Sequence, residues 1–342
     1  MKKLIPVIVL VVAVVAIIAI KKSRSGGEVG SSVEAVVWYG MMPHPYITEV
    51  EVGAKAAAAD GGFALLTSVG QEWTQDNESA NVKAMSTRGH KAFSVFPGDP
   101  AGANGLFGQL TRNGQSVIAY GAEPNLPTPA SFTVATDIRV AATEAAEELV
   151  RLMGGKGNIL NVLETVTDVN TQKRDQAVNA VADANDAVNV IQTISDMSQV
   201  SVAKEKIQSA LAARGAEIDG IITTGYNPTI AAAAVLTEWH KNPDNKRIRF
   251  VGIDTGESVL AAIRNGSIDA TMAQNPFGHG YISCTLLSKM VAGWTVKSPY
   301  QFINAGNLIV NKDNADSYAE TIRTITDGIV ADIETKYLDA PK

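Results

Sequence analysis

The chain has 342 residues, 46% of them hydrophobic and 19% charged, with a formal net charge of −6 and one cysteine. That length exceeds one comfortable core and predicts two domains, while the composition excludes extensive disorder. No block of Lys and Arg interleaved with aromatics follows the first 24 residues, which argues against nucleic-acid binding. Cys284 alone excludes a disulfide framework and a cysteine-cluster metal site, and reads as a small buried residue.

Residues 4–20 are apolar throughout, preceded by Lys2 and Lys3 and followed by Lys21, Lys22 and Arg24. As a helix the run would reach roughly 25 Å, close to a membrane span. No Ala-x-Ala cleavage site follows, and no nearby cysteine could take a lipid. The run therefore reads as an uncleaved signal anchor rather than a removed signal peptide. Positive charge on both flanks leaves its orientation open. Residues 23–32, rich in Gly and Ser, form a flexible tether suited to holding a soluble body off the membrane.

From Val33 onward, short β-branched runs alternate with amphipathic stretches, the pattern of parallel sheets covered by helices. Strands are predicted over 35–39, 63–68, 92–96, 116–120, 158–163, 188–193, 220–224, 249–253 and 269–273. Helices are predicted over 47–60, 78–89, 138–153, 171–184, 202–214, 229–241 and 257–265, several stopping at a glycine: Gly89, Gly215 or Gly266. The proline-rich stretch 124–129 breaks this rhythm, and Val134-Ala135-Thr136-Asp137 reads as a crossover into a second α/β unit. Past Ile309, residues 314–337 read as a packing helix, with Ile322, Ile325, Ile329 and Ile333 at helical spacing. The expected fold class is α/β, with two similar doubly wound parallel-sheet lobes and a crevice between them.

The run Ile248-Arg249-Phe250-Val251-Gly252-Ile253 ends on a carboxylate. This places Asp254 at the carboxyl end of a buried parallel strand, where open α/β sheets bind ligands. Asp254 could equally cap a helix starting near Glu257, and the two roles are compatible. Gln274 ends an apolar strand, where an amide needs a partner. A polyol offers adjacent hydroxyls that a carboxylate accepts in bidentate fashion and that an amide both accepts from and donates to. Its C–H face suits an aromatic ring, and Tyr46, Trp38, Trp73, Tyr226 and Phe277 fall near predicted strand ends, Trp38 reading as core.

An enzyme is disfavoured. His44, His90, His240 and His279 lack metal-ligand spacing, and there is no Gly-x-Ser-x-Gly elbow. Gly154-Gly155-Lys156-Gly157 precedes its strand instead of following it, so it reads as a helix-ending turn and not a phosphate loop. Gly40-Met41-Met42-Pro43 after the first strand is no dinucleotide fingerprint. No catalytic residue, cofactor or metal is expected.

Several phrases, in order, resemble one family. Pro43-His44-Pro45-Tyr46 with Val52-Gly53-Ala54-Lys55 looks like its Asn-x-Pro-[Phe/Tyr] turn and first helix, and Gln75-Asp76-Asn77 through Ala80-Asn81-Val82 like its second polar turn and helix. Val117-Ile118, Ala135-Thr136-Asp137, Thr171-Gln172-Lys173-Arg174, Val251-Gly252-Ile253-Asp254 and Ala273-Gln274-Asn275-Pro276 complete the series. Across residues 33–310 the chain resembles the ribose/galactose-type periplasmic sugar-binding proteins, the type I solute-binding proteins of ABC importers.

The resemblance implies a three-strand hinge near Asp137, Gln274 and 301–304. Residues 1–32 would form anchor and tether, 33–137 plus 275–303 the N-terminal lobe, and 138–274 plus 304–342 the C-terminal lobe. It implies that Tyr46 stacks on the ligand with His44 beside it as a donor, and that Asn170, Gln172, Met197, Asp254 and Gln274 line the site. Tyr226 and Asn227, in the loop 224–228, join them with a register open by one or two residues.

Where the family often places an Asp-Arg pair, this chain has Tyr120-Gly121-Ala122-Glu123. The Arg expected near Gln172 is absent, leaving Arg174, which reads as structural. Both departures argue against ribose and for a neutral sugar or sugar alcohol. The implied partners are ABC permease subunits, and the implied state is an extracytoplasmic monomer held to the membrane by its N-terminal helix or exported by a signal peptide. The alternative is a receptor for a sugar or an autoinducer-like furanose that reports to a membrane sensor kinase. A transcriptional regulator with the same lobes would need a helix-turn-helix where this chain has the apolar run.

Overall fold

In the computed structural model, residues 35–197 and 199–342 are described, so the anchor and tether expected over 1–32 lie outside the described residues. The chain begins β1 (Val36–Gly40), α1 (Pro45–Gly61), β2 (Leu65–Val69), α2 (Gln75–Thr87), β3 (Ala92–Val95), α3 (Gly102–Arg112), β4 (Ser116–Tyr120), β5 (Phe132–Ala135). It continues α4 (Ile138–Leu152), β6 (Gly157–Val162), α5 (Val169–Asp183), β7 (Val188–Ile194), α6 (Val200–Arg214), β8 (Gly220–Thr223), α7 (Tyr226–Trp239), β9 (Arg249–Ile253), α8 (Glu257–Arg264), β10 (Ala270–Gln274). Then come α9 (Pro276–Val291), β11 (Thr295–Val296), β12 (Gln301–Asn304), β13 (Asn307–Asn311), α10 (Tyr318–Ala331), a π-helical turn (Ile333–Tyr337) and β14 (Leu338–Asp339).

Two six-stranded sheets result, ordered β12-β5-β4-β3-β1-β2 and β13-β10-β9-β8-β6-β7, with a small β11-β14 ribbon. All pairings in the two large sheets are parallel except β10 with β13. Buried apolar strands such as β1 fit a sheet covered on both faces. Each sheet has its own core: Trp38, Tyr39, Phe93, Phe107 and Tyr120 belong to the first, where Cys284 is also buried. Leu160, Ile207, Ile221 and Phe250 belong to the second.

The chain passes between the sheets three times: at Thr136–Asp137 after β5, at Asn275 after β10, and at 305–306 between β12 and β13. The third crossing thus follows 301–304, which is itself a strand of the first sheet. Asp137 caps α4 at the first crossing, its carboxylate accepting from the Arg139 and Val140 N–H groups.

Residues Gly102–Arg112 were not expected to be helical, since the segment is glycine-rich and its N-cap, Ala101, makes no side-chain bond. It forms because Leu106, Phe107 and Leu110 share a buried face. Gly89 (φ 101) and Gly266 (φ 78) take the left-handed conformation expected after a helix, whereas Gly215 keeps a right-handed φ of −57. The helix expected over 314–337 ends at Ala331. Ile333 and Leu338 enter the first sheet's core beside Phe132 and Ile303, although residues 304–342 were expected with the second. Tyr318 at the start of α10 packs on the second core and Val330 near its end on the first.

α1 and α9 cross with almost no side chain between them. A Cβ on Gly53 would collide with the Phe277 carbonyl oxygen, and one on Gly280 with the Val50 carbonyl oxygen. This glycine contact docks α1, which begins at Pro45, on α9, the helix that follows a crossing.

Candidate ligand-binding cleft

The carboxyl ends of both sheets face one another. From the first lobe, the loop after β1 presents His44 and Tyr46 at the start of α1, with Pro45 as the first helical residue. His44 is the N-cap, its Nδ1 accepting from the Tyr46 N–H at 3.2 Å, so in the neutral ring Nε2 carries the proton. Burial pushes the His44 pKa down, against the pull of Asp254. Trp73 is 40% exposed, its ring 4.9 Å from Phe96 and 6.3 Å from His44. Phe96 also meets the Tyr46 ring edge-to-face at 6.4 Å. These rings offer the apolar wall that a sugar's C–H face requires.

The second lobe supplies the polar wall. Asp254, just past β9, has a φ of 67, a left-handed conformation uncommon outside glycine, which Asp tolerates better than most residues. Its N–H donates to Met272 O at 2.8 Å, and its own carbonyl accepts from Thr271 Oγ1 at 2.8 Å. Gln274 Nε2 donates to Asp254 Oδ1 at 2.8 Å, and Arg174 Nη2 donates to Gln274 Oε1 at 3.4 Å. Arg174 is 9% exposed and also donates to Thr224 O at 3.1 Å. Burial raises the Asp254 pKa, while Gln274, Arg174 and His44 act against it. The N-cap of α8 is Gly256, not Asp254, so of the two roles open to Asp254 capping is ruled out.

Glu164, just past β6, accepts from Asn227 Nδ2 at 2.7 Å and abuts Gly225, where a Cβ would strike its carboxylate. Burial raises its pKa, and the Asp254 charge adds to the effect. Tyr226 lies 5.8 Å, ring to ring, from His44 of the first lobe. Asn170 Nδ2 donates across to Gly121 O at 3.4 Å, and Lys173 stands 3.9 Å from Glu123, whose Oε1 accepts from Tyr300. These contacts bring the two rims together, and the segment 120–123 enters a cross-cleft ion pair through Glu123.

His44, Tyr46, Tyr226, Asn227, Asp254 and Gln274 therefore gather around one cleft, and Asn170 stands at its edge. Gln172 does not join them, because it is exposed and donates back to Val166 O at 2.9 Å. Met197 does not either: it is fully buried in the second core, as an unbranched apolar side chain beside Ile207. Three residues were missed. Glu164 carried the same signal as Asp254, a carboxylate ending an apolar run. Arg174 reads as structural in the sequence, yet its guanidinium donates to the Gln274 amide oxygen. His279, a lone histidine in an apolar helix, had no sequence signal. Among the described residues no group of three or more His, Cys, Asp or Glu could hold a metal ion.

A model of the periplasmic binding protein domain matches residues 35–294. An ABC transporter solute-binding protein from Burkholderia graminis, in complex with D-arabinose, shares the fold with a TM-score of 0.75 at 19% identity, over 83% of this chain and 96% of its own. A sugar-binding protein of a sugar ABC transporter from Bacillus halodurans gives a TM-score of 0.74 at 17% identity, over 83% and 99%. A solute-binding protein from the same organism with bound myo-inositol gives 0.74 at 19% identity, over 85% and 99%.

Proposed function

We propose that this chain, which belongs to the periplasmic binding protein domain family, captures a neutral sugar or sugar alcohol of about four to six carbons between its lobes and delivers it to an ABC-type importer. The observation that carries the reading is the charge balance of the cleft. Two carboxylates, Asp254 and Glu164, stand near one guanidinium, Arg174, which is already engaged by Gln274 and Thr224. A phosphate or carboxylate ligand would lose its hydration without gaining an uncommitted cation. A polyol can donate to Asp254, exchange hydrogen bonds with Gln274 and lay its C–H face on the aromatic wall. The sugar complexes of proteins with this fold support the same class of ligand.

Capture would proceed by hinge closure about the three crossings, and the closed rims would form the surface offered to the permease. The body would work outside the cytoplasm as a monomer, held at the membrane by residues 4–20. Among the described residues, no helix is long and apolar enough to cross a membrane.

A thermal-shift screen over pentoses, hexoses, tetritols and pentitols, followed by calorimetry, tests the reading. A ligand at one hundred times its Kd should add roughly 2.7 kcal/mol to stability. Binding of sugar phosphates with none for neutral polyols would overturn it.

A further inference from the structure

His279 is fully buried on α9, outside the cleft wall, and touches both the ligand site and the hinge. The Thr136 backbone N–H donates to its Nε2 at 2.9 Å, and its Nδ1 lies 2.8 Å from the Tyr46 hydroxyl. A backbone N–H can only donate, so Nε2 is the bare nitrogen. Burial pushes the His279 pKa down to about 3, which keeps the ring neutral. Its single proton must then sit on Nδ1 and be donated to the Tyr46 oxygen.

The Tyr46 hydroxyl therefore already accepts, and its own proton has to go elsewhere. Among the described residues it makes no second hydrogen bond, and burial with the nearby Asp254 charge raises its pKa, so it stays protonated. Gly121, with a φ of 74, lies beside that oxygen, where a Cβ would meet it. Only a bare glycine backbone can stand that close to the hydroxyl and to the Phe96 ring.

The same histidine is tied to all three crossings. Thr136 Oγ1 donates to Gly306 O at 2.9 Å and accepts from the Asn275 N–H at 3.4 Å. Asn275 Nδ2 donates to Ala305 O at 2.7 Å and to Thr326 Oγ1 at 2.9 Å, while its Oδ1 accepts from the Gly278 N–H at 2.7 Å. One buried polar knot thus joins Thr136, Asn275 and 305–306, and His279 is its outlet to the cleft.

We infer that His279 is a positioning residue that, held by this hinge knot, turns the Tyr46 hydroxyl into an obligate hydrogen-bond donor to an oxygen of the bound ligand. The inference rests on the reading of the cleft as a site for a polyhydroxylated molecule. It adds a selectivity rule: the ligand oxygen that meets Tyr46 must accept, so an analogue lacking that oxygen binds less tightly by about tenfold.

The full-length chain labelled with ¹⁵N-histidine tests the tautomer without ligand. Two-bond ¹⁵N–¹H correlation should show His279 protonated on Nδ1, bare on Nε2, and not titrating between about pH 5 and 8. Calorimetry with D-arabinose, myo-inositol, D-tagatose and D-galactose then tests the consequence on whichever binds. Tyr46→Phe and His279→Leu should each weaken binding by about tenfold, and the double variant little more, because both interrupt the same relay: the first removes the hydroxyl, the second the partner that directs its proton. His279→Gln, whose amide can accept from Thr136 and donate to Tyr46, should restore much of the affinity. A proton on Nε2, titration within that range, or wild-type binding by Tyr46→Phe would overturn the proposal. If none of these sugars binds, the reading of the ligand class is what fails, and the tautomer still decides the role of His279.

Discussion

Gln274 donates through Nε2 to Asp254 Oδ1 at 2.8 Å, and this bond fixes which way round the amide stands. Its Oε1 is thereby turned to Arg174 Nη2 at 3.4 Å, so a half-buried acid and a buried base are joined through a neutral group. A direct ion pair would consume the Asp254 carboxylate. The amide relay leaves its second oxygen without a hydrogen bond among the described residues, and in the proposed site that oxygen would meet the ligand.

Replacing that relay should be costly. Gln274→Leu leaves Asp254 and Arg174 each short of a partner, and should destabilise the fold by about 1–3 kcal/mol while weakening ligand binding. Denaturant unfolding and calorimetry on the same protein measure the two effects. Unchanged stability would mean that the two charged groups do not depend on the amide.

The Asp254 backbone separates strain from chemistry. Because Asn tolerates a φ of 67 about as well as Asp, Asp254→Asn should leave stability within about 1 kcal/mol. Asp254→Ala adds backbone strain and should cost roughly 2–4 kcal/mol of binding, since an acceptor for two hydroxyls is lost. If Asp254→Ala bound sugar within about threefold of wild type, the carboxylate would have no role in capture.

Glu78 predicts a pH dependence. It is fully buried in the first lobe, where it accepts from the Gly98 N–H at 2.8 Å and from Gln75 at 3.0 Å, and burial pushes its pKa from 4.5 up to about 7. Between those two values the folded state holds more protons than the unfolded one. Its contribution is therefore fully present below about pH 4.5 and lost as pH rises to about 7, a change of roughly 3 kcal/mol. Urea midpoints across that range should fall for the wild type and flatten in Glu78→Gln; parallel curves would assign the burial another role.

The α1–α9 crossing should be intolerant of any side chain. Gly53→Ala and Gly280→Ala each set a methyl against a backbone carbonyl, which cannot move aside as a flexible side chain would. Each should cost about 3 kcal/mol or more, read from the denaturation midpoint. The double variant should cost less than the sum, because one displacement of the helices relieves both clashes.

Strands with continuous β-branched or apolar runs were legible in the sequence, β4 and β9 with the observed bounds. Such runs can be buried only inside a covered parallel sheet. β5, α3 and β13 were not legible, because each is short and its conformation comes from packing on a neighbour: β5 on β4 and β12, α3 through Leu106 and Phe107, β13 along β10. The positions of Asp254 and Gln274 followed from one local rule, a polar residue ending an apolar strand. Gln172 and Met197 lie away from the cleft, and nothing local says whether a side chain after a strand turns to the cleft, to its own loop or to the core.

The sequence by itself determined the α/β class, the two-unit rhythm and the strand ends at which chemistry could stand, since these depend on residue order and hydrophobic period. Tertiary structure alone decided which of those ends meet. Glu164 and Asp254 are 90 positions apart in the chain, yet burial brings their charges within each other's influence. Thr136 and His279 are 143 apart, yet a backbone N–H selects the ring's tautomer. Protonation and hydrogen-bond direction depend on burial and on partners in space, and the order of residues specifies neither.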